Sequence, residues 1–381
     1  MQDIFYFKLL INTCMKIKKV LSSAINTYLY YYLHLFFHLR RKPRVLQLPI
    51  TSKCNSRCLT CNIWKHKERI DIDYLKLQDL FKNSFFSDVV AVGINGGEPS
   101  LHANFVDVVN AVLTLPQIES IFIISNCINK DKLLSLLREI YPICKDHGVI
   151  LHLQISVDGI GEVHNNVRGI KISFDRVIQT INELCEHKEM YLDEFDIGCT
   201  ISKYNVDYLV QVEEYFSEYD VPVYFHLAVP NKRIHNFEDA PFTVMSDTHS
   251  RQMAKEFFHK KYNNSKMRME RIRYFLIYYY LTGNSQKRLF LCDYLYQDIT
   301  INEKLETFLC ATASEKVGDL SDKIPSYKEY NKQVKETKKY CDTCIHYANI
   351  PNLYGIFVYY KYNLKYFRWI SHYIKKHKST I

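Results

Sequence analysis

The sequence predicts an α/β fold built on a parallel sheet, and three observations carry that expectation. Apolar, strand-length runs recur at residues 45–50, 89–94, 121–125, 150–157, 195–201 and 222–227. The stretches between them, such as 131–147 and 173–187, place apolar residues every three to four positions, as an amphipathic helix does. Apolar strands alternating with such helices argue for strands that run parallel and are covered by the crossovers. The chain has 381 residues and is 47% hydrophobic, which is enough for one large domain and a smaller one.

Cysteine usage and charge narrow the class. Twelve cysteines in a chain of this length do not make a disulfide scaffold, and seven of them fall into two groups with ligand-like spacing. The remaining Cys14, Cys127, Cys144, Cys185 and Cys199 read as buried small apolar residues. A reducing cytoplasm is the expected compartment, and no secretory signal is evident. Residues 1–50 hold eight Lys and Arg against one acid, and residues 351–381 hold six against none, so the ends carry +13 of a net +9. Both ends are also aromatic, as in Tyr28-Leu29-Tyr30-Tyr31-Tyr32 and Tyr359-Tyr360-Lys361-Tyr362. Basic plus aromatic suggests arms at a membrane surface, here the inner face, and the stretches are too short and interrupted to span. Packing of the arms on the body is the alternative. No nucleic-acid recognition motif is seen, and no nucleic-acid partner is expected.

The first chemistry-bearing motif follows the first strand. Cys54, Cys58 and Cys61 are spaced C-x-x-x-C-x-x-C. Three thiolates on one short loop suit three irons of a [4Fe–4S] cluster and leave the fourth iron open for chemistry. A zinc site needs a fourth ligand, for which His66 is the nearest candidate. After the second strand comes Gly96-Gly97-Glu98-Pro99, in which paired glycines let backbone approach a ligand closely.

The cysteine spacing together with the Gly-Gly-Glu-Pro run resembles the radical S-adenosylmethionine (SAM) superfamily. The resemblance implies an open, partial (β/α)6 TIM-like barrel spanning 45–235, with a [4Fe–4S] cluster whose open iron is chelated by SAM. It implies that Gly96, Gly97, Glu98 and Pro99 receive the SAM ammonium. Active sites of parallel barrels gather at the C-terminal ends of strands, so further site residues are expected there. Ser125-Asn126 stands where relatives carry Thr-Asn-Gly near the adenosine, with Cys127 in the glycine position. Ser156 and Asp158 resemble the serine and acidic positions near the ribose, and Arg168 the arginine that pairs with the SAM carboxylate. His164 reads as a cap or packing histidine, and His226, ending strand six, as structural. Thr60 stands where relatives place a large cover over the cluster, and Trp64 is expected to supply that cover. No residue is singled out as a catalytic acid or base.

Beyond the barrel, residues 236–290 read as a helical connector, followed by Cys292, Cys310, Cys341 and Cys344. Four such cysteines close a complete site for either zinc or an iron–sulfur cluster. Placed after this core, the segment 291–350 resembles a Twitch/SPASM-type auxiliary domain holding one further [4Fe–4S] cluster, with a hairpin over 298–310. The arms are bounded at 1–44 and 351–381.

The resemblance implies reductive cleavage of SAM to a 5′-deoxyadenosyl radical, hydrogen abstraction from substrate, and the auxiliary cluster as electron acceptor. An electron donor such as flavodoxin or ferredoxin is implied as partner. The arms favour a small-molecule or lipid-linked, sugar-like substrate. The alternative is a ribosomally made peptide, and a remote one is a non-catalytic metal-binding scaffold at a membrane.

Overall fold

The computed structural model describes residues 25–33, 36–37, 40–234, 236–237, 240–285, 287–346 and 349–364. Cys14 lies outside them, as do much of both arms.

Six parallel strands form the body: β1 (Val45–Thr51), β2 (Ala91–Gly96), β3 (Ser120–Ser125), β4 (Ile150–Ser156), β5 (Glu194–Ile201) and β6 (Val223–Leu227). They lie side by side in chain order. This is the open, partial (β/α)6 barrel. The strands are not apolar on both faces, contrary to the reading of continuous apolar runs. One alternate set is fully buried, as with Leu46, Leu48 and Ile50 of β1 or Leu151, Leu153 and Ile155 of β4. The other set is mixed: Asn95 donates to Gln47 at 2.9 Å and Gln154 to Asp196 at 2.9 Å, while β3 places Phe122 and Ile124 there. Successive strand residues point to opposite faces, so an open barrel with a solvated interior requires this alternation.

Helices cover the apolar face: α2 (Tyr74–Leu80), α3 (Phe105–Leu113), α4 (Lys130–Asp146), α5 (Glu162–Arg168), α6 (Ser173–His187) and α7 (Leu209–Ser217), after a short α1 at residues 25–33. Two of them start on a side-chain cap: Asp73 accepts from the amides of Leu75 and Lys76 at α2, and Asn129 from the Lys132 amide at α4. Cys127, Cys144 and Cys199 are buried, whereas Cys185 is exposed on α6, beside but not on the face that buries Leu184.

The connector is a pair of packed helices, α8 (Thr248–Asn264) and α9 (Arg268–Leu281). The chain then rejoins the sheet: β7 (Ile299–Ile301) pairs parallel to β1, and β8 (Glu306–Phe308) and β9 (Lys316–Asp319) add on antiparallel. Asn302 shapes the β7–β8 turn through its side chain. Its side-chain oxygen accepts from the amides of Lys304 and Glu306, while the left-handed residue is Leu305, at φ 61°. Helix α10 (Tyr327–Lys338), opened by a Ser326–Glu329 capping box, and helical residues 353–364, here α11, complete the described chain.

Candidate functional site

The loop after β1 is held from two sides. At its base Ser52 Oγ accepts from the Ile70 amide at 2.7 Å, and Lys53 pairs with Asp71 at 2.6 Å. At its crown the end of α5 acts as a template. The Arg57 amide and Ser56 hydroxyl donate to the Arg168 carbonyl, each at 2.9 Å, and the Leu59 amide donates to that of Val167 at 2.9 Å. Gly169, at φ 67°, allows this close approach, because a Cβ there would stand 2.6 Å from the Arg57 carbonyl oxygen.

Cys54, Cys58 and Cys61 thereby line one cavity of about 300 Å³. Gly96, Gly97, Ser125, Asn126, Ser156, Asp158 and Arg168 line it too. Glu98 and Pro99 are not on its wall. The Glu98 carboxylate is fully buried and saturated: it accepts from the Ser100 amide (3.2 Å) and hydroxyl (2.7 Å), the Ser125 hydroxyl (2.8 Å) and the Asn126 amide (2.8 Å). Its pKa is raised by burial against those donors. Glu98 thus ties the turn after β2 to the end of β3. The paired glycines serve a backbone approach of another kind as well: the Gly97 amide donates to Thr51 O at 2.7 Å and the Glu98 amide to Lys53 O at 2.8 Å. Any side chain on Gly97 would meet the Lys53 carbonyl at 2.1 Å.

Asp158 and Arg168, both on the cavity wall, also bind each other. Asp158 is buried and accepts from the Thr200 amide at 2.9 Å, while its other oxygen pairs with Arg168 at 2.9 Å. Arg168 in turn donates to the Cys58 sulfur at 3.7 Å. Burial opposes its charge, but Asp158 and Cys58 outweigh that and push its pKa up. The guanidinium is thus committed to the cysteine loop, and only its buried Nε has no partner. Cys127 holds φ 54°, the glycine-like conformation that its position in the run after β3 requires.

His164 is the structural histidine expected. Its Nδ1 accepts from the Asp158 amide at 3.1 Å, which fixes the tautomer, and Nε2 meets Ser173 Oγ at 2.9 Å. Burial holds its pKa well below the usual value. Asn205 locks the loop after β5, donating to Asp158 O and Thr200 O at 2.9 Å each. His226 is exposed to the cavity, with Nε2 2.9 Å from Thr200 Oγ1. Desolvation within the cavity lowers its pKa. Trp64 donates from Nε1 to Cys58 O at 3.3 Å, and Thr60 O accepts from Asn236 at 2.7 Å, so both brace the loop.

Cys292, Cys310, Cys341 and Cys344 line a second cavity of about 340 Å³. Burial raises the thiol pKa of Cys292, Cys310 and Cys341, the last to about 12, as it raises those of Cys54 to about 12 and Cys61 to about 11. Buried thiols of this kind become thiolates when a metal takes the proton's place. Among the described residues no three His, Cys, Asp or Glu side chains close on a single-ion site. The donor sets, three thiols on one loop of a mixed cavity and four around a more apolar one, suit clusters.

Two groups here were not singled out from sequence. Arg288 is buried and donates only to carbonyls: Phe290 O (2.8 Å), Leu291 O (3.2 Å), Cys344 O (3.1 Å) and His346 O (3.0 Å). It staples the segment before Cys292 to the segment after Cys341 and faces the thiols with its charge. His346 and the run Leu227–Ala228–Val229 line both cavities, so the two cysteine sets open toward a shared wall. Lys232, Arg233 and Asn236 bridge them: the Asn236 side chain donates to Thr60 O on one side, and the Lys232 and Arg233 amides to Thr312 O and Ala311 O on the other.

Residues 48–192 match the Radical SAM superfamily. A curated relative, GTP 3′,8-cyclase of Nostoc punctiforme, is 32% identical over 91 residues, which is 21% of this chain and 26% of the relative, so only about a quarter of that protein is matched. Among solved structures, anSMEcpe with bound AdoMet superposes with a TM-score of 0.56 at 18% identity, covering 81% of this chain and 88% of that one. Streptococcus suis SuiB bound to S-adenosylmethionine gives 0.52 at 12% identity, covering 76% and 66%. At these identities the likeness is one of fold.

Proposed function

From its membership of the radical SAM superfamily, we propose that this chain reductively cleaves SAM and oxidises a small-molecule or lipid-linked, sugar-like substrate by hydrogen abstraction. Cys54, Cys58 and Cys61 hold the SAM-binding [4Fe–4S] cluster, which together with SAM supplies a 5′-deoxyadenosyl radical. Gly96, Gly97, Ser125, Asn126 and Ser156 form the polar wall against which SAM lies, and Arg168, oriented by Asp158, holds positive charge beside the cysteine loop. Cys292, Cys310, Cys341 and Cys344 hold a second cluster with every iron ligated by protein, which supplies an electron acceptor. The residues between the cavities, Leu227 to Val229 and His346, aim the substrate and exclude water. A flavodoxin- or ferredoxin-like donor supplies the electron, and the basic aromatic ends hold the protein at a membrane surface.

The observation that supports this reading is the shared wall: two cysteine-lined cavities meet across four residues. Cys341→Ala with Cys344→Ala is expected to leave SAM cleavage and abolish product. Full turnover in that variant would remove the acceptor role. A peptide substrate is the second reading, favoured by the fold likeness to anSMEcpe with bound AdoMet and Kp18Cys peptide, at a TM-score of 0.54 and 17% identity. Deuterium transfer into 5′-deoxyadenosine from fractionated, deuterated cell extract separates the two. Label from the glycan or lipid fraction supports the first, and label from the peptide fraction the second.

A further inference from the structure

The two ends of the chain, far apart in sequence, dock on each other. Tyr28 Oη donates to the Pro351 carbonyl, and Tyr32 Oη accepts from the Leu353 amide at 2.8 Å. Each helix buries one side. In α1, Tyr31 packs edge-on against Tyr296 at 5.9 Å. In α11, Val358 is buried, Tyr359 packs against Phe275 at 5.3 Å, and Gly355 lies where a Cβ would stand 2.3 Å from Leu289 O.

What each helix leaves outside is apolar. Leu353, Phe357 and Leu364 follow one another at spacings of four and seven, so they share a stripe opposite Gly355 and Tyr359. They are 55%, 59% and 57% exposed. Ile25 and Leu29, one turn apart on α1, are exposed too, and beyond them Phe36 and Phe37 are 76% and 66% exposed. Tyr32 joins the two stripes, since its hydroxyl binds the amide of Leu353. A monomer has no reason to collect large apolar side chains on one exposed face.

The charge around this face has one sign. Residues 4–67 and 343–381 contain no Asp or Glu. Lys361 lies over the Phe357 ring at 5.7 Å, Lys287 over Tyr354 at 5.9 Å, and Arg41 over Tyr30 at 3.6 Å. A row of cations beside an apolar stripe matches the anionic headgroups and acyl boundary of a bilayer, whereas a nucleic acid offers no partner for exposed Phe and Leu. No helix among the described residues is long and apolar enough to cross a membrane.

We infer that α1, residues 36–37 and α11 form one composite face that lies in the surface of an anionic lipid bilayer. This deepens the membrane-surface reading given above: neither end binds as a free arm, and the face exists only when both are docked.

The test uses the full chain and sedimentation with vesicles of phosphatidylcholine alone or with added phosphatidylglycerol. Partition is expected on the anionic vesicles and to fall with salt. Lys287→Gln and Lys361→Gln should each weaken it about fivefold, and Phe36→Ser with Phe357→Ser about tenfold or more. Tyr28→Phe with Tyr32→Phe, which removes both hydroxyl links between the two ends but keeps both stripes, should weaken it as well. Equal partition on neutral and anionic vesicles, or none on either, overturns the inference. Self-association lost in the Phe variants, without vesicle binding, would mean that a second copy covers the face. SAM cleavage measured on the same proteins reports on the catalytic reading separately, because these residues lie away from both cavities.

Discussion

Asp158 holds the Arg168 guanidinium at 2.9 Å, and the same guanidinium reaches the sulfur of Cys58. Carboxylate, cation and thiol stand in series across the base of the cavity, all of them out of solvent or nearly so. Removing one member of a buried pair leaves an uncompensated charge, at a cost of about 3–5 kcal/mol. Asp158→Ala is therefore expected to lower stability by about that amount and to reduce iron bound by the first three cysteines, read by denaturant melts and iron content. If Asp158 acts only on a SAM ribose, both readouts stay at the parental value while SAM affinity falls.

Glu98 gives a second such separation. Its two oxygens accept four hydrogen bonds that join the turn after β2 to Ser125 and Asn126. Glu98→Gln replaces one acceptor oxygen with a donor facing donors, which costs about 1–3 kcal/mol. Melting temperature and SAM affinity should fall together, because the Ser125–Asn126 wall loses its anchor. Weaker SAM binding at unchanged stability would show that the carboxylate touches SAM itself.

The six strands were legible because each is a short apolar run bounded by helical periodicity, and the cysteine sets because ligand spacing is local. What the residues do to one another was less legible. Asp158 and Arg168 were assigned to SAM as separate ligands, yet they pair with each other, and no one-dimensional signal marks an ion pair formed by a loop folding back on α5. Arg288 escaped notice because its partners at Cys344 and His346 lie more than fifty residues on, and a lone arginine before a cysteine has no spacing rule. The β7 pairing with β1 was missed for the same reason: three residues carry too little pattern to declare an extension of the sheet.

Arg288 offers a charge-against-geometry comparison. Its five donors fit four carbonyls in a planar fork that lysine cannot reproduce. In protein lacking Cys54, Cys58 and Cys61, so that only the second set binds iron, Arg288→Lys and Arg288→Gln should both lose iron relative to the parent, since both break the staple. The Gln variant should lose more, because a thiolate cluster is anionic and Arg288 is a cation beside Cys292, Cys341 and Cys344. Equal retention in both would limit Arg288 to packing.

Asp298 sets a pH dependence at the far end of the barrel. It is buried at the start of β7, where its Oδ1 accepts from the Val45 amide at 3.1 Å and so fastens β7 to β1. Burial, with Asp293 adding repulsion, raises its pKa from 3.8 to about 8, although Arg40 lies close. The folded state therefore holds a proton that the unfolded chain releases near 3.8. Between that value and about 8 the folded protein binds more protons than the unfolded one, so this group's contribution to stability declines as pH rises through the window. Asp298→Asn keeps an acceptor for Val45 and cannot ionise. Its melting temperature should approach or exceed that of the parent toward pH 8 and show a flatter profile below it. Parallel profiles for the two proteins across the window would mean that Asp298 is ionised in the fold and that Arg40 neutralises it.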